Sequence, residues 1–213
     1  MSDRTLIFQD WININEFAQR ANWSILFDVN VLKRNKKNKW SRTNAKRLLE
    51  FSHKRGYDTI SFELGNEPNS LKHQLDFELP PEILGKDFIR LRKLLDRFPS
   101  YRNSTLVGPD VNQLRAQGKK SKVQKALKYL GKVFLNSQQK QNSVLDALTW
   151  HQYYFDGHKA KLEDFLSAEP LDYLPKMFET ISRFLKENRI EKPLWLGETS
   201  SAYGGGAKGL SDR

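Results

Sequence analysis

The sequence predicts an α/β fold in which helices cover a parallel sheet. Two observations support this prediction: short apolar segments alternate with longer amphipathic ones, and the alternation recurs five times. Parallel strands of this kind are joined by right-handed crossovers. Both a doubly wound sheet and a (β/α)8 barrel are compatible with the pattern, but a full barrel typically needs about 250 residues and eight strands. With 213 residues and five strands, this chain would be an incomplete barrel.

The predicted elements follow one another in a regular order. The strands are the apolar segments 24–31, 59–64, 106–109, 147–154 and 194–198. The helices are the segments 41–54, 87–98, 122–136 and 171–188, in which apolar residues recur at a helical period. Gly56 follows helix 41–54, where glycine commonly ends a helix. Neither a linker nor an internal repeat interrupts the chain, so we expect one structural unit over residues 1–213.

Composition and charge limit the classes of function. The chain has 36 Lys and Arg against 25 Asp and Glu, a net charge of +11, which favours a polyanionic partner. Nucleic acid, a sulfated polysaccharide and an anionic membrane surface fit the charge equally well. The absence of cysteine excludes disulfides, thiol catalysis and cysteine zinc sites. No apolar run is long enough for a transmembrane helix, and the four histidines lack metal-ligand spacing.

Acidic side chains occur at the ends of two predicted strands. Glu67 follows strand 59–64, and Glu198 ends strand 194–198. Chemistry in such folds lies at the C-terminal ends of the strands, so we expect the two carboxyl groups to meet. A glycosidase needs this pair, because one group protonates the leaving oxygen and the other attacks the anomeric carbon. The acid then requires a raised pKa and the nucleophile a low one, and no cofactor or metal is needed.

A plainer interpretation of each glutamate is a solvated loop residue, which is the commoner case for a short motif. Two such strand ends in one alternating chain favour the catalytic interpretation. The other strand ends add Asp110, and then His151 with Tyr153, which we interpret as part of a sugar-binding floor. The amide of Asn66 is suited to hydrogen-bond a sugar 2-OH, a contact that strengthens in the transition state.

Two longer segments carry a family resemblance. The segment LGNEPNS at 64–70 and the segment LGETSSAYGGGA at 196–207 resemble the heparanase family, and the similarity extends over about residues 21–212. That family consists of endo-β-glucuronidases that cut heparan sulfate with a (β/α)8 TIM barrel and an appended β-sandwich. The resemblance implies that residues 1–213 form a partial (β/α)8 glycosidase catalytic domain, covering about strands 3 to 7 without the C-terminal β-sandwich.

The resemblance also implies roles for single residues. Glu67 would be the general acid/base and Glu198 the nucleophile. The implied substrate-binding residues are Asn66, Arg115, His151, Tyr153, His158, Tyr203, Gly204 and Gly205. The two glycines would bind the substrate carboxylate through their backbone amides, since glycine lets the main chain come close. His158 stands where other members carry arginine, so a sulfate contact there depends on protonation of the imidazole.

Partners and location follow from the same resemblance. We expect heparan sulfate or another acidic polysaccharide as substrate, and a second chain or segment that completes the barrel. The family implies secretion to the extracellular matrix or delivery to the lysosome, whereas the first residues lack the apolar region of a signal peptide. The protein is therefore either cytosolic or this chain is a piece of a longer one. Asn22 and Asn103 begin N-glycosylation acceptor patterns.

Two basic clusters have different interpretations. Lys125, Lys128 and Lys132 lie opposite an apolar stripe and predict a solvated outer face. Segment 33–39 has five cations in seven residues and lies after a strand, where contact with sulfate and plain solubility are equally open. Three functions remain open. The first is a retaining glycosidase of acidic glycans, and the second is a catalytically silent glycan-binding relative or inactive fragment. The third is a nucleic-acid binder, which has the least support because only the charge suggests it.

Overall fold

The computed structural model describes residues 6–112, 114, 119–140 and 142–211. The strands are β1 Ile25–Val29, β2 Ile60–Leu64, β3 Val107–Val111, β4 Gln138–Gln139, β5 Asn142–Ser143, β6 Ala147–Asp156 and β7 Leu194–Tyr203. The helices are α1 Phe8–Arg20, α2 Thr43–Lys54, α3 Leu71–Leu75, α4 Pro81–Leu95, α5 Lys120–Asn136, α6 Leu162–Phe165, α7 Ala168–Leu171 and α8 Tyr173–Glu187, with a 3₁₀ turn at Pro68–Ser70.

Five strands run parallel in the order β1-β2-β3-β6-β7. β1 pairs with β2, and β6 pairs with both β3 and β7. A single parallel bridge between Phe62 and Leu106 joins the two parts of this arc. The short strands β4 and β5 form a separate antiparallel hairpin. The predicted α/β class with parallel strands is confirmed, and the described strands form an open arc, not a closed barrel.

The core lies between the arc and its covering helices. Both faces of β3 are buried, as expected of a central strand in a parallel sheet covered by helices. The largest fully buried side chains include Trp11, Trp150, Tyr101, Phe62 and Phe88. This apolar packing holds the strands in a fixed register, which positions the polar side chains at their C-terminal ends. None of the helices in the described ranges has the length and apolar character needed to cross a bilayer.

Helix α1 is absent from the sequence predictions. Its buried residues are Trp11, Asn15 and Ala18, a helical spacing whose middle position is polar. Asn15 is accommodated because its side-chain amide donates to the carbonyl of Trp11 at 2.8 Å, and the indole Nε1 of Trp11 donates to Oγ of Ser52 at 2.8 Å. A buried asparagine interrupts the apolar pattern, which explains why this helix is not evident from periodicity.

The end of α2 agrees with the role predicted for glycine. Gly56 adopts φ +70°, a conformation that side chains disfavour. The N–H of Gly56 donates to the carbonyl of His53 at 3.1 Å, and that of Tyr57 donates to Ser52 at 3.0 Å. These two bonds satisfy carbonyls at the helix end in a Schellman arrangement.

The last strand is longer than the sequence predicts. β7 continues to Tyr203, so the expectation that the strand ends at Glu198 is wrong. β6 and β7 keep pairing past this point, through Tyr153 with Ser200 and Asp156 with Tyr203, and this pairing extends both strands beyond the other three. Glu198 therefore lies within a strand, opposite His151, rather than in a loop.

Candidate active site

A strained turn after β2 positions Glu67. Gly65 has φ +84°, and a Cβ atom there would lie 2.5 Å from Cγ1 of Val31, so only glycine fits. Glu67 itself has φ 44° and ψ 50°, in the left-handed region. Non-glycine residues in that region are uncommon and often occur at functional sites. The turn ends in the 3₁₀ turn Pro68–Ser70, whose Ser70 N–H donates to the carbonyl of Glu67 at 2.9 Å.

The imidazole of His151 lies between three carboxyl groups. Its Nδ1 is 3.2 Å from Oε1 of Glu67 and 3.4 Å from Oε2 of Glu198. Its Nε2 is 3.3 Å from Oδ1 of Asp110. Because one nitrogen contacts both glutamates, these two distances limit the separation of the two glutamate oxygens to about 6.6 Å. The structure thus brings together the two carboxyl groups that the sequence singled out.

The surroundings of His151 favour its charged form. Burial by itself lowers the pKa of the imidazole, because it disfavours the cation. Contacts with Asp110 and Glu67, and the charges of Asp110 and Glu198, outweigh burial and raise the pKa to about 10. His151 is therefore an imidazolium at neutral pH, and it balances part of the negative charge of the carboxyl cluster.

The carboxyl of Glu67 accepts hydrogen bonds from several elements. Besides His151, the Nδ2 of Asn112 donates to Oε2 at 2.6 Å and the Nε2 of Gln74 donates to the same oxygen at 3.2 Å. Burial raises the pKa of Glu67, but these bonds stabilise the carboxylate and leave the pKa below its ordinary value. The raised pKa expected for an acid is therefore wrong for the substrate-free site, because the three donors favour the ionised form.

Glu198 is the more open of the two glutamates, with 45% of its side chain exposed. The hydroxyl of Tyr153 donates to its Oε1, and burial together with the charge of Glu198 raises the pKa of that hydroxyl. The preceding residue, Gly197, makes room for the site: a Cβ there would lie 3.1 Å from Oδ1 of Asp110 and 3.5 Å from Nε2 of His151. A larger residue at this position would displace the pair.

The other predicted contacts near the end of β7 also lie close together. The rings of Tyr153 and Tyr203 are 6.3 Å apart in an edge-on arrangement. Gly204 and Gly205 have φ +83° and +91°, and a Cβ on Gly204 would lie 3.0 Å from Nε2 of the exposed His158. The structure therefore connects Tyr153, which contacts Glu198, with Tyr203, and places His158 beside the glycine turn.

Three of the predicted substrate contacts stand differently from the others. Asn66 is exposed and directly precedes Glu67 in the turn. Arg115 lies outside the described residues. His151, expected to line a sugar-binding floor, is 4% exposed and lies beneath the glutamates. The contact that the structure gives it is with carboxyl groups of the chain itself.

Two residues of the site were missed in the sequence analysis. Asn112 follows β3 by one residue, so the rule that placed Asp110 at a strand end would also have indicated Asn112. Its Oδ1 accepts a hydrogen bond from Oγ of Ser70 at 2.5 Å, which orients the amide towards Glu67. Gln74 lies on α3, and no sequence signal marks it, because its contact depends on how the chain folds back after the turn.

The basic clusters differ in structure as well as in sequence. Lys125, Lys128 and Lys132 are exposed on α5, as predicted. In segment 33–39 the lysines are exposed, but the side chain of Arg34 is 6% exposed and forms an ion pair with the fully buried Asp87. Arg34 therefore has a structural role, and only the lysines of this segment are available to an anionic partner.

Comparisons with known proteins show which family the chain resembles. The family model for the N-terminal domain of glycosyl hydrolase family 79 matches residues 1–213. The chain is 40% identical to heparanase of Rattus norvegicus over 92% of its own length and 34% of that protein. It is 33% identical to hyaluronoglucuronidase of Hirudo nipponia over 97% of this chain and 40% of that one.

A relative with a different name is also similar. Inactive heparanase-2 of Homo sapiens is 33% identical over 92% of this chain and 31% of its own length. The chain thus spans about a third of the length of the heparanases that it matches. Since the family model covers the whole sequence and these identities extend over nearly all of it, the chain belongs to glycosyl hydrolase family 79.

Proposed function

We propose that this chain is the partial catalytic barrel of a retaining endo-β-glucuronidase-like glycoside hydrolase. The substrate is heparan sulfate or a related acidic glycosaminoglycan. Similarity to proteins named heparanase and hyaluronoglucuronidase supports this substrate class. The net charge of +11 is suited to a polyanionic chain.

One observation carries the proposal: Nδ1 of His151 contacts Glu67 and Glu198 together. The oxygens it contacts are at most about 6.6 Å apart. Retaining enzymes have carboxyl groups about 5–5.5 Å apart, whereas inverting enzymes need about 6.5–9.5 Å to admit a water molecule. The close approach of these two oxygens supports a retaining mechanism over an inverting one.

The chemistry then follows in two steps. Glu198 attacks the anomeric carbon while Glu67 donates its proton to the leaving glycosidic oxygen, and a glycosyl ester forms on Glu198. Glu67, now a carboxylate, removes a proton from water, which attacks the same carbon and releases Glu198. Because the pKa of Glu67 is low in the free site, its acid form is populated at acidic pH, and we expect an acidic pH optimum.

The substrate contacts in this proposal follow the family resemblance. Asn66, beside Glu67, would bind the sugar 2-OH, and the backbone amides of Gly204 and Gly205 would bind the uronic carboxylate. His158, exposed beside this turn, would add a positive charge when protonated. The role of Arg115 as a basic contact stays a prediction.

The barrel requires strands beyond those described. β1 and β7 each pair on one side within the described arc. Apolar side chains on both of these outer strands are open to solvent: Leu26 on β1 is 43% exposed and Trp195 on β7 is 44% exposed. A second chain or segment that adds the missing strands would cover such edges. Location in the extracellular matrix or lysosome stays a prediction from the family resemblance.

The test uses the complete protein that contains this chain. Heparan sulfate and hyaluronan are digested, the chain length of the products is measured, and the anomer formed first is identified by NMR. We expect Glu67→Gln to reduce cleavage by roughly 10²–10⁴-fold and Glu198→Gln to abolish it. Glu179→Gln, an exposed residue on α8, is the matched control. Full activity of either site variant, or release of the inverted anomer, contradicts the mechanism.

A second function is favoured by a specific observation, the 33% identity to a relative named inactive heparanase-2. In that case the protein binds the glycan without cutting it. The protein would be retained on heparin in a salt-dependent manner, and the glycan would keep its chain length in the digestion assay. The same experiment therefore separates the two candidates.

A further inference from the structure

Two buried carboxyl oxygens behind the site lack a hydrogen-bond partner. They are Oε1 of Glu63, on β2, and Oδ1 of Asp110, on β3. Oδ1 of Asp110 lies 3.3 Å from Nε2 of His151, a contact between charges that is not aligned as a hydrogen bond. Asp110 has the imidazolium of His151 beside it, whereas Oε1 of Glu63 has no donor. Burying an ionised carboxylate in that way is costly, and such a group normally takes up a proton instead.

The charged groups around Glu63 make its ionisation more difficult. Asp28 faces it from β1, in register across the sheet, Asp110 faces it from β3, and His151 faces it from β6. The imidazolium of His151 is the only cation among these groups, and its contacts are with the carboxyl groups of Glu67, Asp110 and Glu198. Burial, followed by the charge of Asp110, raises the pKa of Glu63 to about 8.

A bound cation is a less suitable explanation for this cluster. No group of three or more acidic or histidine side chains in the described part of the chain has the arrangement of a metal site. A single proton, in contrast, lets the two carboxyl groups pair with each other, because a protonated Glu63 has an O–H that can donate to Asp110. The side chains are close enough for this bond.

We propose that Glu63 is a positioning residue of the active site: as a neutral carboxylic acid it donates a hydrogen bond to Asp110 and so holds Asp110 against His151. His151 in turn bridges Glu67 and Glu198. The importance of this bond for catalysis rests on the proposed function, whereas the buried proton on Glu63 does not. The two parts are therefore tested by different measurements.

The proton is tested by infrared spectroscopy of the complete protein. At neutral pH we expect the carbonyl band of a protonated carboxylic acid, which shifts when glutamate is labelled with ¹³C and disappears in Glu63→Gln. The band should also fade as the pH rises through about 8. Glu82→Gln, a half-buried residue on α4 whose carboxyl pairs with Lys132, should leave the band unchanged. The label is needed because burial also raises the pKa of Asp28, to about 7, so a band from this aspartic acid persists in Glu63→Gln. Absence of a label-shifted band, or persistence of the label-shifted band in Glu63→Gln, overturns the proposal.

A stability measurement gives an independent test without substrate. The pKa of Glu63 is raised on folding, from 4.5 to about 8, so its contribution to stability is fully present below pH 4.5 and is lost as the pH rises through about 8. Glutamine does not titrate. The melting temperature of Glu63→Gln minus that of the native protein should therefore increase across this range. A difference that does not change with pH shows that Glu63 holds no extra proton.

Kinetics test the positioning role. Gln retains a donor for Asp110, so Glu63→Gln should keep kcat within about threefold of native at acidic pH. Leu has no donor, so Glu63→Leu should reduce kcat by roughly tenfold or more while KM changes little. Equal rates for the two variants overturn the positioning role. If the native protein itself cuts no glycan, the proposed function fails, but the infrared and stability results still decide whether Glu63 carries the proton.

Discussion

Replacing His151 by glutamine tests whether its positive charge controls the acid of the site. The variant removes the imidazolium that lies 3.2 Å from Glu67 and 3.4 Å from Glu198. At an effective dielectric constant of 20, the charge interaction at the shorter distance is about 5 kcal/mol. Desolvation of the buried imidazolium offsets part of this energy. An opposite charge in contact with a carboxyl typically lowers its pKa by about 1–3 units, or about 1.4–4 kcal/mol.

The assay is the pH dependence of kcat/KM for glycan cleavage by the complete protein. Its alkaline limb reports loss of the proton from Glu67 in the free enzyme, so His151→Gln should move this limb upward by about 1–3 units. The maximal rate should fall as well, because the two glutamates lose the group that holds them together.

The matched control is His53→Gln, which makes the same change at an exposed histidine that contacts Ser100. The control should leave both limbs where they are in the native protein. An alkaline limb that stays in place in His151→Gln would mean that His151 is neutral in the working enzyme, and the charge argument for Glu67 would be refuted.

Two further predictions concern stability. Gly65→Ala should lower the free energy of unfolding by about 2–4 kcal/mol in chemical denaturation, because it adds a Cβ contact at 2.5 Å to the strain of a positive φ. The control Gly56→Ala also has a positive φ, but the space around it is open, so it should cost about 1 kcal/mol. Equal costs would refute the steric argument. Arg34→Met should lower the free energy of unfolding by about 3 kcal/mol, since it leaves Asp87 buried with one partner fewer. Lys37→Met should leave the stability unchanged, but the variant protein should elute from a heparin column at lower salt. The reverse pattern would assign Arg34 to glycan binding.

Most of the architecture is evident from the sequence because it depends on local patterns. The apolar segments that become β1, β2 and β6 are recognisable from composition, and the helical period identifies α4, α5 and α8. The short elements α3, α6, α7, β4 and β5 were not predicted, and α4 begins at Pro81, before its predicted start. Two other exceptions have physical reasons. Helix α1 has a buried asparagine on its inner face, and β7 extends past Glu198 because of pairing with β6, a contact that no local pattern encodes.

The site divides in a similar way. The family resemblance added His158, whereas the strand ends pointed to Glu67, Glu198, Asp110, His151 and Tyr153. The pKa direction of Glu67 was expected to be the opposite of that found. The expectation rested on what an acid catalyst requires, but the donors that lower the pKa of Glu67 come from separate elements and meet only after folding.

The amino-acid sequence by itself determined the class of fold and the family, and it pointed to the two glutamates, because periodicity and short motifs are properties of neighbouring residues. The tertiary structure alone decided that one imidazole bridges both glutamates, that Arg34 is buried in an ion pair, and that Glu63 and Asp110 face each other without a donor. Charge balance in a buried cluster depends on distances between strands that are far apart in the chain, and such distances are set only when the strands pack.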